Sequence, residues 1–192
     1  MKVQKSVIAS IALVILLAAA CSFAQTGRQE FQAQAFGEGT QSGHTFNVTV
    51  IIDEYSSDGD RQILLDAYSK SGMNGVYDEL RKMKSKGRIK ITGNLGYDVS
   101  YIRKFTTPTG EKIRLVTSRP ITMGEVATDS RSQNYSVSAL ELDLNTADMN
   151  KSTGKLLPLA QFKINKDKEL EVEAYQNPWR LTDVIDWSKK KK

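Results

Sequence analysis

The sequence predicts an α+β fold. It reads as a single domain made mainly of an antiparallel sheet of about seven or eight strands, arranged as a sandwich or an open barrel, with one inserted helical hairpin. Three observations lead there. Apolar residues alternate with polar ones through most of the chain, as in "HTFNVTVII" and "ELEVEAY"; that period of two marks half-buried strands. One window, between Ser57 and Lys86, switches to the spacing of a helical face. Short turn-rich links join the strands, and strands next to strands with segregated helices are the α+β pattern.

The elements follow in order. Residues 25–43, rich in Gln, Gly and Ser, read as a flexible leader with room for a short strand at Phe31 to Phe36. The domain proper spans 44–187. Phe46, Val48, Val50 and Ile52 share one face of its first clear strand. Ser57 followed by Asp60 has the capping-box arrangement, with acids in the first turn. Ile63, Leu64, Ala67 and Tyr68 then line a helix that Gly72 stops, because glycine is the common C-terminal breaker. A second helix from about Asn74 to Lys86 points Val76, Tyr77, Leu80 and Met83 inward, and Gly87 ends it.

From Arg88 onward the pattern is β. Ile89 and Ile91 alternate in "RIKIT". Tyr97, Val99, Tyr101 and Phe105 occupy one side of "YDVSYIRKF". The turn "TPTG" leads to Ile113 and Leu115, and Pro and Gly suit such a turn. Residues Thr128 to Asn134 read as a loop. In "YSVSALELDL", Val137 and Leu140 cannot share a face, so either both faces are covered or a bulge shifts the register. Pro158 in "KLLPLAQFKI" argues for an edge strand or a bend. In the last hairpin, Leu170, Val172 and Ala174 alternate with Glu169, Glu171 and Glu173.

The N-terminus reads as an export signal over residues 1–24. Lys2 and Lys5 precede an apolar run from Val7 to Ala20 that ends in small residues, which is the layout of a secretory peptide. The run is short of the ~20 apolar residues a membrane span needs. Ser22 and Ala24 favour cleavage after Ala24, whereas "LAAAC" permits lipidation of Cys21, with Ala18 where a Leu is usual. Cys21 is the only cysteine, so the mature chain has no disulfide under either cut. The expectation is an exported protein, periplasmic or secreted, or alternatively lipid-anchored to the envelope.

The net charge of +5 is a terminal effect. Setting aside Lys2, Lys5 and Lys189, Lys190, Lys191 and Lys192 leaves 21 basic against 22 acidic residues. The tail over residues 188–192 is a run of like charge, usually solvated. No stacking aromatics accompany it, so nucleic-acid binding is not expected. Membrane attachment is expected only through a lipid on Cys21 or weakly through the four lysines, each contributing about 1 kcal/mol near an anionic surface.

The residues offer little catalytic chemistry. His44 is the only histidine, and no nucleophile elbow precedes it, so a Ser-His-Asp triad is not supported. One histidine with no mature cysteine gives no zinc site. Asp148, Asn150 and Ser152 have the early spacing of a calcium loop, but Leu159 stands where its bidentate glutamate belongs, so the stretch reads as a turn. No metal or cofactor is expected. Paired acids remain, namely Asp53 with Glu54, Asp98 with Glu125, or Asp183 with Asp186, and two carboxylates suffice for glycoside hydrolysis. Two groups are nominated for binding: Tyr97, Asp98 and Tyr101 with Arg119, and Trp179 with Arg180. Such aromatics more often fill a core.

The succession "GRIKI", "LGYDVSYIRKF", "IRLVTSRPITMGE", "YSVSALELDL", "GKLLPLAQFKI" and "LEVEAYQNPWRL" resembles a family of small exported bacterial proteins of uncharacterised function, over roughly residues 45 to 185. The resemblance implies one exported domain and no assigned activity. The expected role is therefore non-catalytic, binding or structural, in the cell envelope. The alternative is a carboxylate-based hydrolase acting on an envelope or external polymer.

Overall fold

A computed structural model describes residues 27–121, 137–174 and 177–188. The signal segment with Cys21 and Ala24, the stretch Thr128 to Asn134, Glu125, and Lys189 to Lys192 lie outside those residues. Among these residues nine strands occur in the order β1 (Gln29–Phe36), β2 (Thr45–Ile52), β3 (Gly87–Ile91), β4 (Tyr97–Thr107), β5 (Gly110–Thr117), β6 (Val137–Asn145), β7 (Thr153–Ile164), β8 (Leu170–Ala174) and β9 (Trp179–Asp186). One helical element, α1 (Asp58–Lys82), is inserted between β2 and β3.

The sheet runs β6-β5-β4-β3-β2-β1-β9-β7, and β6 pairs with β7 to close it. All pairings are antiparallel. The result is a closed eight-stranded barrel with β8 added outside, mainly β in character, where the sequence suggested an α+β sandwich or open barrel. Closure removes the edges that an open sheet must protect. The short strand for which the leader had room at Phe31 to Phe36 is part of β1, which lies between β2 and β9 and belongs to the barrel, so the barrel begins ahead of residue 44.

Closure depends on β7. Its first half pairs with β9 through Gly154↔Leu181, Lys155↔Arg180 and Leu156↔Trp179, whereas its second half, from Ala160 to Ile164, pairs with β8. Pro158 sits between the two halves. It has no N–H to give a ladder, so it is tolerated where the strand changes partners.

Two apolar cores result. The first fills the barrel with side chains from all eight closing strands, among them Phe31, Val50, Ile89, Tyr97, Leu115, Leu142, Leu156 and Trp179. The second lies on the outer wall, where Leu64, Leu65, Val76 and Leu80 of α1 cover Tyr101, Val116, Ala139 and Leu157, with Phe162 and Leu170 alongside. Hence β6 is covered on both sides: Leu140, Leu142 and Leu144 point into the barrel, and Val137 and Ala139 point towards the outer core. Away from α1 the outer wall is polar, with Gln32, Asn47, Arg88 and Lys90 exposed. That is the reverse of a lipid-facing barrel, which carries an apolar outer band. Among the described residues no helix is long and apolar enough to cross a membrane.

The expected helical pair is one element broken at Gly72, whose φ of 59° and ψ of −144° lie outside the helical region. The bend is sharp. A Cβ on Gly75 would collide with the Ala67 carbonyl, although those residues would be about 12 Å apart along a straight helix. Gly72→Ala is expected to destabilise the protein by about 1–3 kcal/mol, because the conformation is open only to glycine; urea denaturation followed by far-UV circular dichroism will measure it. The N-terminus of α1 has the predicted capping box, with Asp60 N–H donating to Ser57 Oγ at 3.1 Å and Ser57 N–H to Asp60 Oδ2 at 2.7 Å. Nearly buried Lys86 reaches Glu54 at 2.9 Å and Asp60 at 3.4 Å, which ties the two ends of the insertion together.

Candidate functional site

A register shift between Val99 and Tyr101 decides where the first nominated group falls. Strict alternation would place Tyr97, Val99 and Tyr101 on one side. The bulge instead sends Tyr97 and Val99 into the barrel and turns Tyr101 outward beneath α1. Asp98 faces solvent and is held by Arg88 Nη2 at 2.7 Å. Exposed Arg119 stands with its guanidinium 5.0 Å from the Tyr97 ring centroid. Of the four residues, Tyr97 and Arg119 meet, while Tyr101 faces the opposite side of the wall and Asp98 pairs with Arg88. Asp98→Ala is expected to change stability by less than about 1 kcal/mol, the range of an exposed ion pair, as read from a denaturation midpoint.

The second nominated pair also divides. Trp179 is buried in the barrel, its ring 4.6 Å from that of Phe46. Arg180 points outward, 3.6 Å from Glu38 and 5.9 Å from the Phe36 ring centroid. Trp179 Nε1 and Gln41 Oε1 are buried without hydrogen-bond partners among the described residues.

The nominated acids among the described residues are tied elsewhere, and Glu125 lies outside those residues. Asp53 faces Arg28 at 3.8 Å and Glu54 faces Lys86. Asp183 accepts from Thr182 Oγ1 at 3.0 Å, and Asp186 accepts from Ser188 N–H at 3.0 Å. In the candidate calcium loop, Asp148 Oδ1 accepts from Asn150 N–H and Ser152 Oγ from Asn145 N–H, so these oxygens serve their own turn. Among the described residues no group of three or more His, Cys, Asp or Glu is placed to hold a metal ion.

A dense polar cluster among the described residues is one the sequence did not mark. It lies on the outer wall under the start of α1, and strand register builds it. Arg103 on β4 is directly opposite Arg114 on β5, Arg114 opposite Glu141 on β6, and Glu141 opposite Lys155 on β7. Glu141 is 2 % exposed, with Arg114 Nε at 2.6 Å and Lys155 Nζ at 3.0 Å. Burial works against its charged form, but Arg114 and Lys155 reverse this and hold its carboxyl below the usual range. Arg114 also donates to the Leu170 carbonyl.

Arg61 of α1 completes the cluster. Its Nη1 donates to Glu169 Oε1 at 3.1 Å and to the Lys168 carbonyl at 3.3 Å. Arg103 reaches Asp58 Oδ1 at 3.0 Å and Glu169 Oε1 at 3.6 Å. Tyr101, 1 % exposed, lies within the influence of all three arginines and Glu169; burial pushes its phenol up to about 12, so it stays protonated and able to donate. One partial signal existed in the sequence: Arg103, Arg114, Glu141 and Lys155 all occupy polar phases of strands. Nothing in the sequence shows that these phases line up.

No protein-family model, curated protein or solved structure matches the chain.

Proposed function

We propose that the protein is exported and acts in the bacterial cell envelope as a non-catalytic binding domain that uses the outer wall of its barrel. The observation that carries this reading is the filled interior. All eight closing strands send large side chains into one core, whereas barrels that hold a small molecule keep a cavity there. Recognition then falls to the wall, where charged side chains are concentrated. Among the described residues, the carboxylates with displaced acidity, Asp60, Glu141 and Glu173, are all shifted down. A general acid needs the opposite shift. Export is supported by Lys2, Lys5, the apolar run Val7 to Ala20 and the small residues up to Ala24.

Two measurements test this. Intact mass after cell fractionation should show a chain beginning at Gln25 outside the cytoplasm; a diacylglycerol adduct on Cys21 would give the anchored form, and an uncleaved cytoplasmic chain would overturn export. Purified protein should co-sediment with isolated sacculi or envelope-lipid vesicles without releasing soluble fragments. Fragment release that disappears in Asp183→Asn or Asp186→Asn would establish hydrolysis instead, and no sedimentation with either material would overturn the binding role.

A further inference from the structure

Arg103 and Arg114 stand directly opposite each other on neighbouring strands. Like charges so placed destabilise an antiparallel pair, and Arg61 brings a third cation to the same spot. Four cations, Arg61, Arg103, Arg114 and Lys155, are answered by three anions, Asp58, Glu141 and Glu169. Three polar atoms are left over: Arg61 Nε, Arg103 Nε and Tyr101 Oη are buried and have no hydrogen-bond partner among the described residues. A guanidinium nitrogen only donates, and a protonated phenol can donate. What the cluster lacks is an acceptor carrying negative charge.

Asp58 shows how such an acceptor would enter. Its side chain is 81 % exposed, yet its Oδ1 lies 3.0 Å from Arg103 Nη1 and 3.9 Å from Arg61 Nε. Glu141 and Glu169 are far less exposed, at 3 % and 23 %. Asp58 is thus the carboxylate of the cluster that already lies largely in water, and Arg103 and Arg61 keep Glu169 as a partner when it swings away. Arg61 Nε, Arg103 Nε and Tyr101 Oη make three unpartnered donors on three side chains. That number suits a group with three or four oxygens better than a two-oxygen carboxylate, and arginine forks match phosphate geometry.

We propose that Arg61, Arg103 and Tyr101 form an oxyanion-binding site of the phosphate class, which Asp58 fills as an internal stand-in until the ligand displaces it. This deepens the binding role proposed above and is separable from it, since phosphate can fail to bind while sacculi or vesicles still sediment the protein. The competing account is a purely structural clasp that holds α1 and the β7–β8 turn against the wall. The two accounts differ most at Asp58: removing a competitor strengthens ligand binding, whereas removing part of a clasp does not.

The test is calorimetric titration of inorganic phosphate into the purified protein at constant ionic strength set with chloride. Phosphate should bind the wild type, and Asp58→Asn should bind it several-fold more tightly. Tyr101→Phe, which keeps the buried ring, and Arg103→Gln should each weaken binding by about tenfold or more, the scale of a hydrogen bond to a charged group. Absence of phosphate-specific binding in both wild type and Asp58→Asn would overturn the proposal. So would affinity unchanged in Tyr101→Phe, which remains informative if Arg103→Gln fails to fold. Acetate binding as tightly as phosphate would overturn the assignment to the phosphate class. Vesicles of phosphatidylglycerol compared with phosphatidylcholine distinguish the source: capture by the anionic lipid, lost with Tyr101→Phe, identifies a headgroup, and binding of free phosphate without capture identifies a soluble ester.

Discussion

Replacing Glu141 by alanine will cost about 3–5 kcal/mol of stability, the penalty for removing one partner of a buried ion pair. The loss arises less from the missing attraction than from what stays behind. Arg114, with its side chain 12 % exposed, keeps its charge beneath α1 and β8 with its nearest acid gone. Urea denaturation at pH 7 will measure the change. Its pH dependence identifies the cause. Because the folded carboxyl is held below its usual value, it adds stability that is fully present above the unfolded pKa and is lost as the pH falls through the folded one. Wild-type stability should therefore decline in acid below about pH 4.5. Glu141→Gln should start lower at pH 7 and show a shallower decline, and equal slopes in the two proteins would contradict this account.

Trp179→Ala is expected to cost a similar amount, about 3–5 kcal/mol, as a large core side chain exchanged for a cavity. Position sharpens the effect. Trp179 is one of three β9 residues paired with β7 across the barrel seam, and its ring packs on Phe46. Loss of the ring removes filling beside a ladder only three residue pairs long, as short as that between β3 and β4. Trp179→Phe should cost less, since it keeps an aromatic against Phe46 and removes an indole N–H that has no partner. Guanidinium melts followed by circular dichroism will order the three proteins. Equal stability of the alanine variant and wild type would mean that the seam does not depend on this side chain.

Much of the β pattern was legible because burial on one face imposes a period of two, and α1 was legible from its cap and Gly72. The errors have physical causes. One inserted residue near Ser100 reverses which side Tyr101 faces, and nothing local in "YDVSYIRKF" signals a bulge. Closure was not visible because it rests on β7 pairing with three strands, one of them the non-consecutive β9, and on β1 pairing with β9 across nearly the whole domain; Pro158 marked the irregular place without saying what happened there. Residues 25–43 looked loose since β1 carries glutamines and small alanines in place of bulky residues. The arginine cluster stayed hidden for the same kind of reason as closure: Arg61, Arg103 and Arg114 come together only once register and the packing of α1 are fixed.

The first and last strands are neighbours. Phe31 pairs with Asp186, and Trp187 N–H donates to the Glu30 carbonyl at 2.9 Å. The polypeptide therefore enters and leaves the barrel through one doorway, and attachments made on either side of it reinforce each other. Contacts made ahead of Gln29 and beyond Trp187 would therefore start from one side of the barrel, and two feeble grips so linked would combine into avidity without any new contact in the barrel.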